Sequence, residues 1–142
     1  MSVEDLKSFE PKEPSQLQTL NSYEQAIVLI QKGNLDEALT ALNVYVQNAE
    51  ESDETPLAYF WLGEIYLVQE MFEDSSEILN AFVAKFDDHP RKSDGLYKLA
   101  LAKLNLEELD SAEKLLQEVI SNYPNSGAAL LAEQDLIKLN QQ

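Results

Sequence analysis

Ala26, Gly63 and Ala100 stand 37 residues apart, and most apolar positions around them recur at the same step. Ala38, Ser75 and Ala112 follow twelve residues behind in each copy. Leu35, Phe72 and Leu109 hold the step, as do Leu42, Leu79 and Leu116, and Tyr45, Phe82 and Val119. Tyr23, Phe60 and Tyr97 keep it three residues ahead of each anchor. A fixed period between about 20 and 50 residues marks one supersecondary unit stacked on copies of itself. Such a chain offers a long surface to partners and not a closed pocket for chemistry.

From Leu17 the apolar residues fall three and four apart, through Leu20, Tyr23, Ala26, Ile27 and Ile30, which is helical spacing. Gly33-Asn34 ends that helix, glycine suiting a left-handed C-cap and asparagine suiting a cap for the next helix. The next stripe is Leu35, Ala38, Leu39, Leu42 and Val46, with Asp36 and Glu37 placed favourably for the helix dipole. Asn48 to Glu54 reads as an acidic loop, and Thr55-Pro56 as an N-cap followed by proline at the first helical position. Stripes at Leu57, Phe60, Gly63, Ile65, Leu67 and at Phe72, Ser75, Ile78, Leu79, Phe82 predict a second hairpin. After Asp87-Asp88-His89-Pro90, Leu96 to Leu104 and Leu109 to Ile120 predict a third. Tyr123-Pro124-Asn125-Ser126 closes it, with Ser126 capping a seventh helix that carries Ala129, Ala132, Leu136 and Leu139.

No segment alternates with a period of two, so no strands are expected. The seventh helix has a physical reason to exist, because the last hairpin of a stack leaves an apolar face to cover. Glu133, Asp135, Lys138, Asn140 and Gln141 are expected to form its solvated side. Residues 1–14, with Pro11 and Pro14, read as a linker or disordered segment, and residues 15–142 as one repeat domain. Repeats are expected over about 19–55, 56–92 and 93–129, with the terminal helix over about 126–140.

The chain has 142 residues, 44% of them hydrophobic, enough for one packed domain. Its 26 acidic residues against 10 basic give a net charge of −16. That surface repels phosphate backbones and anionic lipids, which argues against nucleic-acid binding and favours a basic or apolar protein partner. No window approaches the roughly 20 apolar residues that span a bilayer. Met1 to Glu10 lacks the apolar centre of a secretory signal, so the chain is expected to be cytosolic or a domain cut from a longer exported precursor. The absence of cysteine fits either compartment.

The small residues at 26, 63 and 100 and at 38, 75 and 112 allow close helix approach, with bulky positions between them. That alternation resembles the tetratricopeptide repeat. Tyr59-Phe60-Trp61-Leu62-Gly63-Glu64-Ile65-Tyr66 matches its aromatic–leucine–glycine–tyrosine core, Gly33 its turn glycine, Ala38 and Ala112 its second small position, and Pro124 its closing proline. Ser75 stands where alanine is usual, and Glu70 and Glu107 where glycine is. The resemblance implies an all-α, right-handed superhelical solenoid of three hairpins with a C-terminal capping helix.

The 37-residue unit, the stretch Tyr59 to Tyr66 and the ending Val119-Ile120-Ser121-Asn122-Tyr123-Pro124-Asn125-Ser126 resemble one subgroup. This is the C-terminal repeat domain of the periplasmic Tol-Pal-associated cell division coordinators of Gram-negative bacteria, the CpoB (YbgF) family. The resemblance covers roughly residues 20 to 140. It implies a periplasmic, non-enzymatic interaction module that docks a partner such as TolA and links outer-membrane constriction to peptidoglycan synthesis. An outer-membrane assembly scaffold, or a cytosolic adaptor of the same architecture, remains open beside it.

Catalysis would need a nucleophile with a base, a metal cluster or tuned carboxylates in a cavity. His89, beside Pro90, is the one histidine and reads as a capping or surface residue; the four glycines are isolated and form no phosphate loop. The acidic runs Glu50 to Glu54 and Asp87-Asp88 lack the alternating spacing of a calcium loop and read as solvated charge. An enzyme is not expected, and no cofactor is implied.

By the repeat's register the inward-facing positions are Tyr23, Ile27 and Ile30; Phe60, Glu64 and Leu67; and Tyr97, Leu101 and Leu104. The rings at 23, 60 and 97 either present an apolar stripe to a peptide or cover the hairpin junctions; both readings stand at this point. Trp61 is expected to be buried, with its indole N–H finding a partner. A clamp for an acidic tail is rejected. The corresponding positions hold Tyr23, Ile27, Trp61 and Asp94, with only Lys98 basic.

Overall fold

The computed structural model describes residues 22–48 and 52–141, so the N-terminal stretch read as a linker lies outside the described residues. Among the described residues there are seven helices and no strand: α1 Ser22–Gln31, α2 Leu35–Asn48, α3 Glu54–Val68, α4 Phe72–Lys85, α5 Lys92–Asn105, α6 Leu109–Asn122 and α7 Gly127–Asn140. They form an all-α helical repeat: three hairpins and a terminal helix.

The hairpin turns repeat with the sequence. Gly33, Glu70 and Glu107, each 37 residues apart, adopt φ of 79°, 60° and 61°. At each turn the left-handed residue donates its N–H three residues back, to Ile30, Leu67 or Leu104, at 3.0–3.1 Å. The residue after it donates five back, to Leu29, Tyr66 or Lys103, at 2.8–2.9 Å. This paired pattern is the Schellman C-cap, which satisfies the last carbonyls of the first helix. Glycine meets the geometry at position 33; the two glutamates adopt it despite their Cβ atoms.

The described residues divide into two compact units, with the boundary between Ala58 and Tyr59. In the first, α1 packs on α2, with Ala26 and Ala38 completely buried and the Tyr23 and Tyr45 rings 5.7 Å apart. The start of α3 departs from the expected cap at Thr55. The helix begins at Glu54, because Ser52 Oγ accepts from the Glu54 N–H at 3.2 Å while Thr55 Oγ1 accepts from the Ser52 N–H at 3.2 Å. These two bonds hold the first turn much as a capping box does, with the hydroxyl bond made one residue earlier. Pro56 falls as the third residue of the helix, where its missing N–H has no intrahelical partner to lose.

In the second unit the close approaches are specific. A Cβ on Gly63 would lie 2.3 Å from Leu79 Cδ2, so α3 and α4 meet where glycine leaves room. The Ser75 hydroxyl donates to the Gly63 carbonyl at 2.9 Å across the same contact, fully buried. Serine for alanine at this position therefore adds a satisfied hydrogen bond to the packing. A Cβ on Gly95 would lie 2.6 Å from the Phe82 ring, the corresponding approach of α5 to α4. Further along, Leu96, Ala100, Leu116, Val119, Ala129 and Ala132 form one core of α5, α6 and α7.

Ser126 caps α7 as its type implies, accepting from the Ala129 N–H at 3.0 Å. The outer side of α7 differs from the expected solvated face. Glu133, Lys138, Asn140 and Gln141 are exposed, but so are Leu130, Leu131 and Ile137, at 59%, 45% and 58%. The helix buries small residues, Ala128, Ala129 and Ala132, and turns three large ones outward.

Candidate partner-binding surface

The nine positions assigned to an inner face fall into two groups. Tyr23, Ile27, Ile30, Phe60 and Tyr97 are buried; Glu64, Leu67, Leu101 and Leu104 are half-buried. The physical reason is clearest at Phe60. Its ring lies 5.7 Å from Phe82 and 6.2 Å from Trp61, and Phe82 continues to Phe86 at 6.0 Å and His89 at 5.7 Å. Rings in such a cluster have their apolar area covered by the protein itself. Of the nine, only the half-buried members keep appreciable exposure to solvent.

Polar pairs join the first helices of successive units. Lys98 on α5 pairs with Glu64 on α3 at 3.3 Å, which neutralises the only basic group at the acidic-tail clamp positions. Asp94 is engaged by Arg91 at 3.2 Å. Tyr97 on α5 donates its hydroxyl to Asp135 Oδ2 on α7 at 2.6 Å. Burial, with the carboxylate next, holds the Tyr97 phenol above its usual range, because ionising it would place two negative charges together.

Between α5 and α7 runs a groove of about 560 Å³, lined by Leu101, Leu104, Glu107, Leu109, Asp135, Lys138 and Leu139. Two of the nine register positions, Leu101 and Leu104, thus face a real hollow. Sequence reasoning missed its other walls. The available signal was chain order: α7 follows the third hairpin as the first helix of a fourth unit would, so its inner side was a candidate lining.

Trp61 is buried as expected, but its Nε1–H has no partner among the described residues, which corrects the expectation of a hydrogen bond. Its neighbour Phe60 offers only a ring, and the apolar packing that buries the indole supplies no acceptor. His89 braces the turn that leads into α5, its Nδ1 accepting from the N–H of the N-cap residue Arg91 at 3.0 Å. Among the described residues no group of three or more His, Asp or Glu is arranged to hold a metal, and no helix is long and apolar enough to cross a membrane.

Paired helices with left-handed turns at a fixed step and small residues at the crossings define a helical-repeat protein. Family models described as tetratricopeptide repeat match residues 23–90 and 94–126, together most of the chain. The chain belongs to the tetratricopeptide-repeat family, whose members bind protein partners and are typically non-catalytic scaffolds. No curated protein matches the chain significantly. Among solved structures it is similar to a Podospora anserina putative kinesin light chain with nearly identical TPR-like repeats, at 20% identity and TM-score 0.66, covering 98% of this chain and 76% of that one. It is similar to a MamA RS-1 double mutant at 20% identity and TM-score 0.63, covering 87% of this chain. It spans 65% of that protein's length, just under two thirds. The C-terminal TPR-containing domain of a Plasmodium falciparum putative FK506-binding protein matches at 17% identity and TM-score 0.59, over 96% of this chain and 99% of that one. At these identities the likeness is one of fold.

Proposed function

We propose that the chain is a non-enzymatic interaction module of the bacterial cell envelope, acting in the periplasm with the Tol-Pal system. There it would dock TolA and couple outer-membrane constriction to peptidoglycan synthesis during division, residues 15–142 forming the binding domain. Tetratricopeptide membership supports protein binding. The observation that carries the reading to a surface is the leucine-lined groove, because Leu101 and Leu104 line it from positions the repeat register assigns to the inner face. The envelope setting is supported by the sequence resemblance of Tyr59 to Tyr66 and Val119 to Ser126 to the Tol-Pal-associated coordinators.

Calorimetric titration of the chain with the soluble part of TolA tests this. Saturable binding that weakens in Leu104→Gln is expected. No heat at saturating TolA overturns the envelope assignment.

A further inference from the structure

The walls of the α5–α7 groove alternate apolar and acidic groups. Leu101 and Leu104 lie one turn apart on α5, Leu139 lines the hollow from α7, and Leu109 lines it from the start of α6. Two carboxylates share the lining with one ammonium: Asp135, oriented by the Tyr97 hydroxyl, and Glu107, fixed by the left-handed turn, against Lys138. The surrounding chain carries a net charge of −16.

Resting on the reading of the chain as an interaction module, we propose that this groove holds a helical segment of a partner protein. That segment has leucine-like side chains on one face and lysine or arginine flanking them. Leucines one turn apart on α5, opposed by Leu139 on α7, suit side chains at i, i+3 or i+4 and i+7 of an amphipathic helix laid between the two. The carboxylates select the flanks: a basic segment meets attraction at Glu107 and Asp135 and is steered by the whole field, while an acidic one is repelled by both. Two other hollows are smaller. One of about 300 Å³, lined by Glu70, Met71, Phe72, Glu73, Asp74 and Leu106, has its apolar residues from one turn and one neighbouring helix end, without two facing helices. The other, of about 320 Å³, lined by Asp110, Glu113, Lys114 and Gln117, has no apolar side chain in its wall.

The test uses a synthetic peptide of about 14 residues, roughly four helical turns, with leucine on one face and lysine on the other. A twin carries glutamate for every lysine. Each is titrated into the chain by fluorescence anisotropy. The lysine peptide is expected to bind saturably, about tenfold more weakly in Leu104→Gln and Leu139→Gln because an apolar contact is lost. In Glu107→Gln the loss is about threefold, the scale of a solvent-exposed pair. Leu130→Gln, outside the groove, is expected to bind like the parent, and thermal melts establish that each variant is folded. Absent binding, equal affinity for the glutamate twin, or parental affinity in the Leu104 and Leu139 variants overturns the proposal. Peptide binding without TolA binding leaves the groove assignment standing and removes the envelope one; TolA binding without peptide binding does the reverse.

Discussion

The Tyr97 hydroxyl donates to Asp135 Oδ2 at 2.6 Å, tying the first helix of the third hairpin to the terminal helix. A hydrogen bond to a charged acceptor contributes about 1–2 kcal/mol when partly buried. Tyr97→Phe keeps the ring and removes the donor, so a loss of that order is expected in urea unfolding. The pH dependence has a definite sign. The folded phenol's pKa is raised, while the unfolded one ionises near pH 10. This stabilisation is therefore complete below about pH 10 and declines above it, as the unfolded chain releases the proton first. The gap between parent and Tyr97→Phe should close as pH rises past that point.

Gly63 and Leu79 set the approach of α3 to α4. Alanine ordinarily favours a helix over glycine by about 1 kcal/mol, but here its Cβ would meet Leu79 Cδ2 at 2.3 Å and Cγ at 2.4 Å. Leu79 is completely buried, and its branch carbon Cγ, not only a methyl end, would have to shift. Overpacking prevails, and Gly63→Ala is expected to destabilise by about 1–3 kcal/mol, Gly63→Leu by more. Gly63→Ala combined with Leu79→Ala should lose less than the two single losses added, since the second change removes the clash.

Glu70 occupies a left-handed position at φ 60°. The strain of a Cβ there is relieved by glycine, so Glu70→Gly should raise the urea midpoint, reflecting a gain in stability of about 0.5–1 kcal/mol. A lower midpoint would mean that the glutamate side chain contributes more than its backbone strain removes.

His89 accepts the Arg91 N–H through Nδ1 and sits edge-on to Phe82, with rings 5.7 Å apart. Burial lowers its pKa below 6.5. Stability from the neutral imidazole is fully present above about pH 6.5 and is lost as pH falls toward the folded pKa, because the unfolded chain takes the proton first. Unfolding at pH 8 and 5.5 should show a larger drop for the parent than for His89→Gln.

Much of this fold was legible because a 37-residue step marks out six helices in three hairpins without any knowledge of their neighbours. Ser126 announced its cap by residue type, and Gly63 its packing role by smallness among bulky residues. What remained hidden depended on distant partners. Tyr97 and Asp135 are 38 residues apart, and no local pattern links them. Thr55-Pro56 suggested a helix start, yet Ser52 prevailed, its hydroxyl accepting from the Glu54 N–H while its own N–H donates to Thr55 Oγ1. The rings at 23, 60 and 97 share a stripe with Leu101 and Leu104. Periodicity alone could not separate buried rings from half-buried leucines, because both follow the same step.

The most direct test is a heteronuclear NMR titration of the labelled chain with the lysine-bearing amphipathic peptide. Shift changes should concentrate on α5 from Leu101 to Leu104, the turn at Glu107, and α7 from Asp135 to Leu139, while the buried ring of Phe60 keeps its resonances. Changes centred instead on the outer faces of α4 and α6, or a spectrum unmoved at saturating peptide, would contradict a binding surface built on the first helices of the repeat.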